Sequence, residues 1–265
     1  MIKLIGSDMD GTLLDSNKCV DKEFYEVLEQ LNSNNILFAA VSGREIQSLT
    51  NIFKKEIIDN IILAPNNGNL VVYKGEVLYE NYIDKKKLKS ISNIIRKYAN
   101  HNTIFCGKEK TYSESLKVKI ACKAWNTDVE VVEDITKIND SIMKVSVFAD
   151  ENIIKDVLTN IKDYKKDLSI SMSGPNSLDI CESNGNKKQA IKVIQKKFNI
   201  SYEETMVFGD HMNDLEMMES AYYSFAMGNA EDKIKEKARF VTKTNDENGV
   251  IEAIKELAIG NEAFA

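Results

Sequence analysis

Apolar residues along this 265-residue chain follow two rhythms, and the change of rhythm divides it. The run Ile2-Lys3-Leu4-Ile5-Gly6-Ser7 predicts a buried strand that ends at Asp8. Asp21 reads as a helix N-cap, and Phe24, Val27, Leu28 and Leu31 at helical spacing predict an amphipathic helix over 22–33. Ile36 to Val41 is continuously apolar, as a strand covered on both faces is. Ser42-Gly43-Arg44 ends it, and a helix with Ile46, Leu49 and Phe53 on one side follows. Ile61 to Ala64 is a third buried strand, completing a βαβαβ half of a doubly wound sheet. Asn66-Asn67-Gly68 predicts a turn, and 70–73 with 76–79 a hairpin about Lys74-Gly75.

From about Ile83 the pattern changes. Leu88, Ile91, Ile95 and Tyr98 predict a Lys-rich helix, 112–126 a second helix, and 129–132 a strand. Met143 to Val147 alternates as a half-exposed strand does, Ile153 to Ile161 is helical, and 168–172 and 177–181 predict strands joined at Gly174-Pro175. Helices mixed with alternating strands predict a separate α+β domain with one sheet face covered. The parallel rhythm then returns. Helix 188–198 leads to strand 205–208, which ends in Gly209-Asp210. A short helix carries Leu215, Met217 and Met218, strands follow at 222–227 and 240–241, and the last helix carries Val250, Ile251, Ile254 and Leu257. The expected architecture is α/β: a doubly wound, mainly parallel sheet formed by 1–82 and 184–265, with an α+β domain inserted over 83–183.

Composition narrows the function classes. A net charge of −6 argues against a general nucleic-acid or anionic-membrane binder. The first apolar run is stopped by Asp8 and resembles neither a signal peptide nor a membrane span. Cys19, Cys106, Cys122 and Cys181 are scattered, with no C-x-x-C, as reduced cytoplasmic thiols are. His101 and His211 alone cannot build a multi-histidine metal site. A cytoplasmic monomer or weak homodimer is expected.

Polar residues cluster at the strand ends. Asp8 and Asp10 close the first strand, Ser42-Gly43-Arg44 the second, and Gly209-Asp210-His211-Met212-Asn213-Asp214 follows the strand at 205–208; Lys187-Lys188 opens a helix. In an open α/β sheet such ends meet on one edge, where ligands bind. Unit charges about 4 Å apart repel by about 4 kcal/mol at an effective dielectric near 20. Asp8, Asp10, Asp210 and Asp214 therefore need a cation if they converge. Oxygen donors favour a hard ion, Mg²⁺ first. Ser42, the backbone around Gly43 and Lys187 suit a phosphate, so the set reads as phosphoryl transfer. For Arg44, a surface charge at a helix start and a place near the phosphate are equally supported.

The motifs DMDGTLL at 8–14, VSGR at 41–44, NNG at 66–68, SLDICESNGNKKQAI at 177–191 and GDHMNDLEM at 209–217 resemble the haloacid dehalogenase superfamily of phosphatases, and within it the Cof-type group, subclass IIB, with an α+β cap. The resemblance implies an aspartyl-phosphate mechanism. Asp8 would be the nucleophile, and Asp10 the general acid and then base. Mg²⁺ would be held by a carboxylate oxygen of Asp8, the backbone carbonyl of Asp10 and the Asp210 carboxylate, with Asp214 acting through water. Ser42, Gly43, Lys187 and Asn213 would bind the phosphoryl group. The family has Gly after its motif lysine where this chain has Lys188; spacing to Ala190 favours Lys187 as the inward one. The implied enzyme is a Mg²⁺-dependent phosphomonoesterase for small phosphorylated metabolites, sugar phosphates or nucleotide-related compounds, whose cap sets the leaving group. A phosphosugar mutase and a non-catalytic phosphometabolite sensor are the alternatives.

Overall fold

The computed structural model describes residues 1–125, 127–164, 166–174 and 176–260. Two compact units emerge: Met1–Tyr79 with the chain from Asn186 onward, and Glu80–Gly185. Among the described residues no helix is long and apolar enough to cross a membrane.

The first unit opens with β1 (Leu4–Ser7), α1 (Lys22–Ser33), β2 (Leu37–Val41), α2 (Ile46–Thr50), β3 (Ile61–Ala64), β4 (Leu70–Tyr73) and β5 (Glu76–Glu80). The Asp21 carboxylate accepts the Glu23 N–H at 2.8 Å and so starts α1. Its inner face buries Phe24, Val27, Leu28 and Leu31, and Phe24 meets Phe38 of β2 edge-to-face at 5.0 Å. Helix α2 is shorter than its apolar spacing predicts. Glu45 caps it through the N–H groups of Gln47 and Ser48, but Thr50-Asn51, both weak helix formers, end it. Phe53 is still buried, held from the following loop, and a 3₁₀ segment spans Lys55–Asn60.

The second unit holds α3 (Lys85–Tyr98), β6 (Thr103–Gly107), β7 (Thr111–Ser113), α4 (Leu116–Cys122), β8 (Val129–Val131), β9 (Ile142–Phe148), α5 (Glu151–Asn160), β10 (Leu168–Gly174) and β11 (Ser177–Glu182). Its six strands lie in the order β10-β11-β9-β6-β7-β8. The expected helix over 112–126 is partly wrong. Thr111-Tyr112-Ser113, β-branched and aromatic, extends beside β6, and the helix starts only at Leu116. The pattern left β6 unassigned. Asn126 and Pro175, which the expected helix and turn include, lie outside the described residues. Phe105, Val145, Val147 and Ile180 join Ile91, Ile95, Ile154 and Val157 of α3 and α5 in one core. Alternate residues Ile104 and Cys106 point the other way and meet Val118 and Cys122 of α4, so both sheet faces carry an apolar cluster, against the expected single covered face. Ion pairs, part-buried and buried, also tie this unit together. Arg96 binds Glu114 and Asp134, and Lys144 donates to Asp179 at 3.1 Å.

The chain returns to the first unit with α6 (Lys187–Phe198), β12 (Thr205–Gly209), β13 (Tyr223–Ala226), α7 (Asp232–Lys237), β14 (Phe240–Val241) and α8 (Gly249–Ile254). The short helix expected near 215–218 is instead two 3₁₀ turns, Met212–Asp214 and Met217–Ser220. The sheet order is β14-β13-β12-β1-β2-β3-β4-β5; the strands from β14 to β3 are parallel, and β4 runs against β3. Strand β1 pairs with β12 on one side and β2 on the other. The chain winds outward from β1 in one direction and from β12 in the other. Their shared border is the switch point, where the loops after the strands part and leave a crevice.

Candidate active site

Three loops leave the sheet beside that border, after β1, β2 and β12. The first carries Asp8, whose N–H still bonds the Phe208 carbonyl at 3.0 Å as if the strand continued. Asp8 is 5 % exposed. Lys187, the first residue of α6, is 1 % exposed; its ammonium donates to Asp8 Oδ1 at 2.7 Å and to Asp214 Oδ1 at 2.6 Å. The other Asp214 oxygen accepts the N–H groups of Asp210 at 3.0 Å and His211 at 3.1 Å, which folds the loop after β12 onto itself. Thr12 donates to Asp210 Oδ1 at 2.7 Å. Asp8, Asp210 and Asp214 each bring a carboxylate oxygen within 4.8 Å of the others.

Gly11 makes this approach possible. It sits at φ +81°, and a Cβ there would lie 2.5 Å from Asp210 Oδ2. Only a residue without a side chain lets the two loops close to this distance.

The charges follow from the geometry. Burial, and then the Asp214 carboxylate, push the Asp8 carboxyl well above the usual range, against the pull of Lys187. Burial and Asp214 also raise Asp210, while Thr12 and Lys187 act the other way. Burial disfavours the charged form of Lys187, but Asp214 and Asp8 more than reverse that and hold it protonated. Three carboxylates thus face one buried ammonium. A hard divalent cation, bound through oxygen, fits this donor set and its charge deficit.

Asp10 lives differently. Its side chain is 37 % exposed, and Arg44 grips it with a two-pronged fork, Nε to Oδ2 and Nη2 to Oδ1, both at 2.7 Å. Lys18 Nζ lies 3.1 Å from Oδ1. Burial raises the Asp10 carboxyl, but Arg44 and Lys18 together outweigh it and leave it below its ordinary value.

Ser42 is buried; its hydroxyl oxygen accepts the Arg44 N–H at 3.1 Å, and Gly43 lies inside that turn. The NNG segment supports the turn from below. The Asn66 N–H bonds the Arg44 carbonyl and the Asn67 N–H the Ser42 carbonyl, both at 2.8 Å. Asn213 Nδ2 reaches Asn67 Oδ1 at 3.3 Å. Lys188 points away and pairs with Glu219 at 2.6 Å, and His211 pairs with Glu231 at 2.9 Å. The structure therefore gathers Asp8, Lys187, Asp210 and Asp214 into one cluster, and directs Asp10 to Arg44 and Lys18. The sequence reading passed over Thr12 and Lys18. Thr12 lies inside the DMDGTLL motif and could have been found; Lys18 carries no such signal.

Residues 5–254 match the family profile of haloacid dehalogenase-like hydrolases. The chain belongs to that family. Among its relatives is a 5-amino-6-(5-phospho-D-ribitylamino)uracil phosphatase, YbjI, of Escherichia coli K12, to which this hydrolase is 28 % identical over 96 % of its length and 95 % of the relative's. The crystal structure of SMU.1108c from Streptococcus mutans UA159 superposes with a TM-score of 0.88 at 28 % identity, over 97 % of this chain and 98 % of that one. The subclass IIB sugar phosphatase BT4131 does so at 0.82 and 26 %, over 97 % and 99 %. That last likeness agrees with the Cof-type motifs of this hydrolase.

Proposed function

We propose that this hydrolase is a cytoplasmic, Mg²⁺-dependent phosphomonoesterase for small phosphorylated metabolites, working through an aspartyl-phosphate on Asp8. The observation that carries this reading is the Lys187 ammonium bridging Asp8 and Asp214, with Asp210 alongside. A buried carboxylate held by one ammonium is a fixed nucleophile, and the ammonium offsets charge as phosphate approaches. Asp8, Asp210 and the backbone carbonyl of Asp10 would hold Mg²⁺, with Asp214 supporting them through water. When bound, the ion would polarise the phosphoryl oxygens and offset the negative charge that repels the nucleophile.

Ser42, Gly43, Lys187 and Asn213 would orient the phosphoryl group, and Asp10 would exchange protons with the leaving oxygen and then with water. The unit Glu80–Gly185 would act as the cap that selects the leaving group. Relatives named for a phosphoribityl compound and for sugar phosphates support a polyol or sugar phosphate as substrate. The scattered cysteines Cys19, Cys106, Cys122 and Cys181, with no C-x-x-C, support a reducing compartment.

The test is a panel of sugar, polyol and nucleotide monophosphates with Mg²⁺ or with chelator, read as inorganic phosphate released. Wild-type protein should release phosphate only with Mg²⁺, and Asp8→Asn should lower turnover by at least ~10⁴-fold while retaining the wild-type fold by circular dichroism. An Asp8→Asn protein that still turns over refutes the nucleophile. Isomerised substrate without free phosphate would mark a mutase, and an inert wild-type protein a sensor.

A further inference from the structure

The fork that Arg44 places on Asp10 has a consequence for proton transfer. A carboxylate offers about four lone-pair sites, two on each oxygen. Oδ1 of Asp10 meets both Arg44 Nη2 at 2.7 Å and Lys18 Nζ at 3.1 Å, so both of its sites are engaged. Oδ2 meets Arg44 Nε at 2.7 Å, which leaves one site open. Two parallel bonds also fix the plane of the carboxylate to that of the guanidinium. Arg44 is itself anchored. Its N–H donates to Ser42 Oγ at 3.1 Å, its carbonyl accepts the Asn66 N–H at 2.8 Å, and its side chain is 26 % exposed.

We propose that Arg44 is the positioning residue for Asp10, fixing its carboxylate plane so that Oδ2 is the oxygen that carries the proton. The inference rests on the proposed phosphatase reading. In the first step a bond forms between an Asp8 oxygen and phosphorus, the bond from phosphorus to the leaving oxygen breaks, and a proton that Asp10 Oδ2 takes up from solvent as the anionic phosphate draws near passes to that oxygen. In the second, water bonds to phosphorus, its proton returns to Oδ2, and the Asp8–phosphorus bond breaks. Arg44 loses and gains nothing; it sets where Oδ2 stands. Lys18, more exposed and single-pronged, fills Oδ1 and so leaves the exchange to the other oxygen.

The experiment compares two phosphate esters on the full chain with Mg²⁺. An alkyl phosphate, such as glycerol phosphate, has a leaving alkoxide that requires a proton; p-nitrophenyl phosphate has a leaving phenolate that does not. General acid–base catalysis contributes about 10²–10⁴-fold. Arg44→Gln is therefore expected to lower kcat on the alkyl ester by about 10–100-fold and on the aryl ester by less than about 3-fold. Arg44→Lys, which cannot fork, should not restore the alkyl rate. Combined with Asp10→Asn, Arg44→Gln should cost nothing further on the alkyl ester, because both remove the same step.

Equal losses on both esters, a rise in KM alone, full rescue by lysine or additive losses in the double variant would each overturn the inference. They would make Arg44 a phosphate-binding or merely structural group. Those outcomes leave the phosphatase reading standing; a wild-type protein inert on both esters removes that reading and the inference with it.

Discussion

The ammonium of Lys187 is the centre of charge balance in the first unit, and its removal can be costed. It sits 2.7 Å from Asp8 and 2.6 Å from Asp214, with side-chain exposures of 1 %, 7 % and 0 % for the three. Each attraction is about 6 kcal/mol at an effective dielectric near 20, much of it spent on taking the charges out of water. Removing one partner of a buried pair costs about 3–5 kcal/mol net, because the other is left uncompensated. Lys187→Met keeps most of the apolar stem of the side chain. It should destabilise the metal-free protein by that amount, lowering Tm by about 10 °C for a unit of roughly 150 residues. The assay is thermal unfolding at pH 7 with chelator. The folded-state pKa of Asp8 is already raised, so its ionised form opposes folding above its unfolded value of about 3.9. Losing Lys187 raises it further. Acidification protonates the site, so the Tm gap between variant and wild type should narrow as pH falls from 7 toward about 5. Millimolar Mg²⁺ should narrow it as well. A variant melting within about 2 °C of wild type at pH 7, or a gap that widens in acid, would refute the idea that one ammonium restrains these carboxylates.

Gly11→Ala forces a side chain to φ +81° and against Asp210 Oδ2; it should cost about 1 kcal/mol of stability and shrink the Tm gain on adding Mg²⁺, measured by paired melts with and without the ion. Glu114 is 4 % exposed on its side chain and bound by Arg96 and the Ile135 N–H, which outweigh burial and depress its carboxyl. Its contribution is fully present above its unfolded pKa of about 4.3 and is lost as pH falls through the lower folded value, so Glu114→Gln should be less stable at neutral pH and flatten the acid limb of stability against pH by about 1–3 kcal/mol, read from urea melts.

What the sequence made legible follows from how each feature is encoded. Strands β1, β2 and β12 are buried on both faces, so each is a near-continuous apolar run, and the polar residues that follow them, Asp8, Ser42 and Asp210, carry the site. Lys187 is distinguishable from Lys188 because 187, 190, 191 and 194 share one side of α6, and that side is buried. Segments 103–107 and 111–113 were harder, since three- to five-residue strands are too short for period 2 to compete with a helical spacing nearby. The partner of Asp10 could not be read at all. Arg44 is 34 positions away, and either a surface charge or a phosphate contact was compatible with its place after Ser42-Gly43. The fork depends on the loop after β1 turning at Gly11, a three-dimensional event with only one glycine as its trace.

That turn also explains how two carboxylates separated by one residue come to differ so much. Asp8 continues the direction of β1 into the interior, where α6 supplies one ammonium and the loop after β12 supplies two more carboxylates. Asp10 stands at the turn, next to Gly11, more exposed and between two cations. Burial and like charge act on the first, and paired cations on the second, so their affinities for a proton separate in opposite directions. A group that is to form a bond to phosphorus gains from being held and poorly hydrated. A group that is to pass protons to and from water gains from standing at the edge, with its orientation fixed from behind.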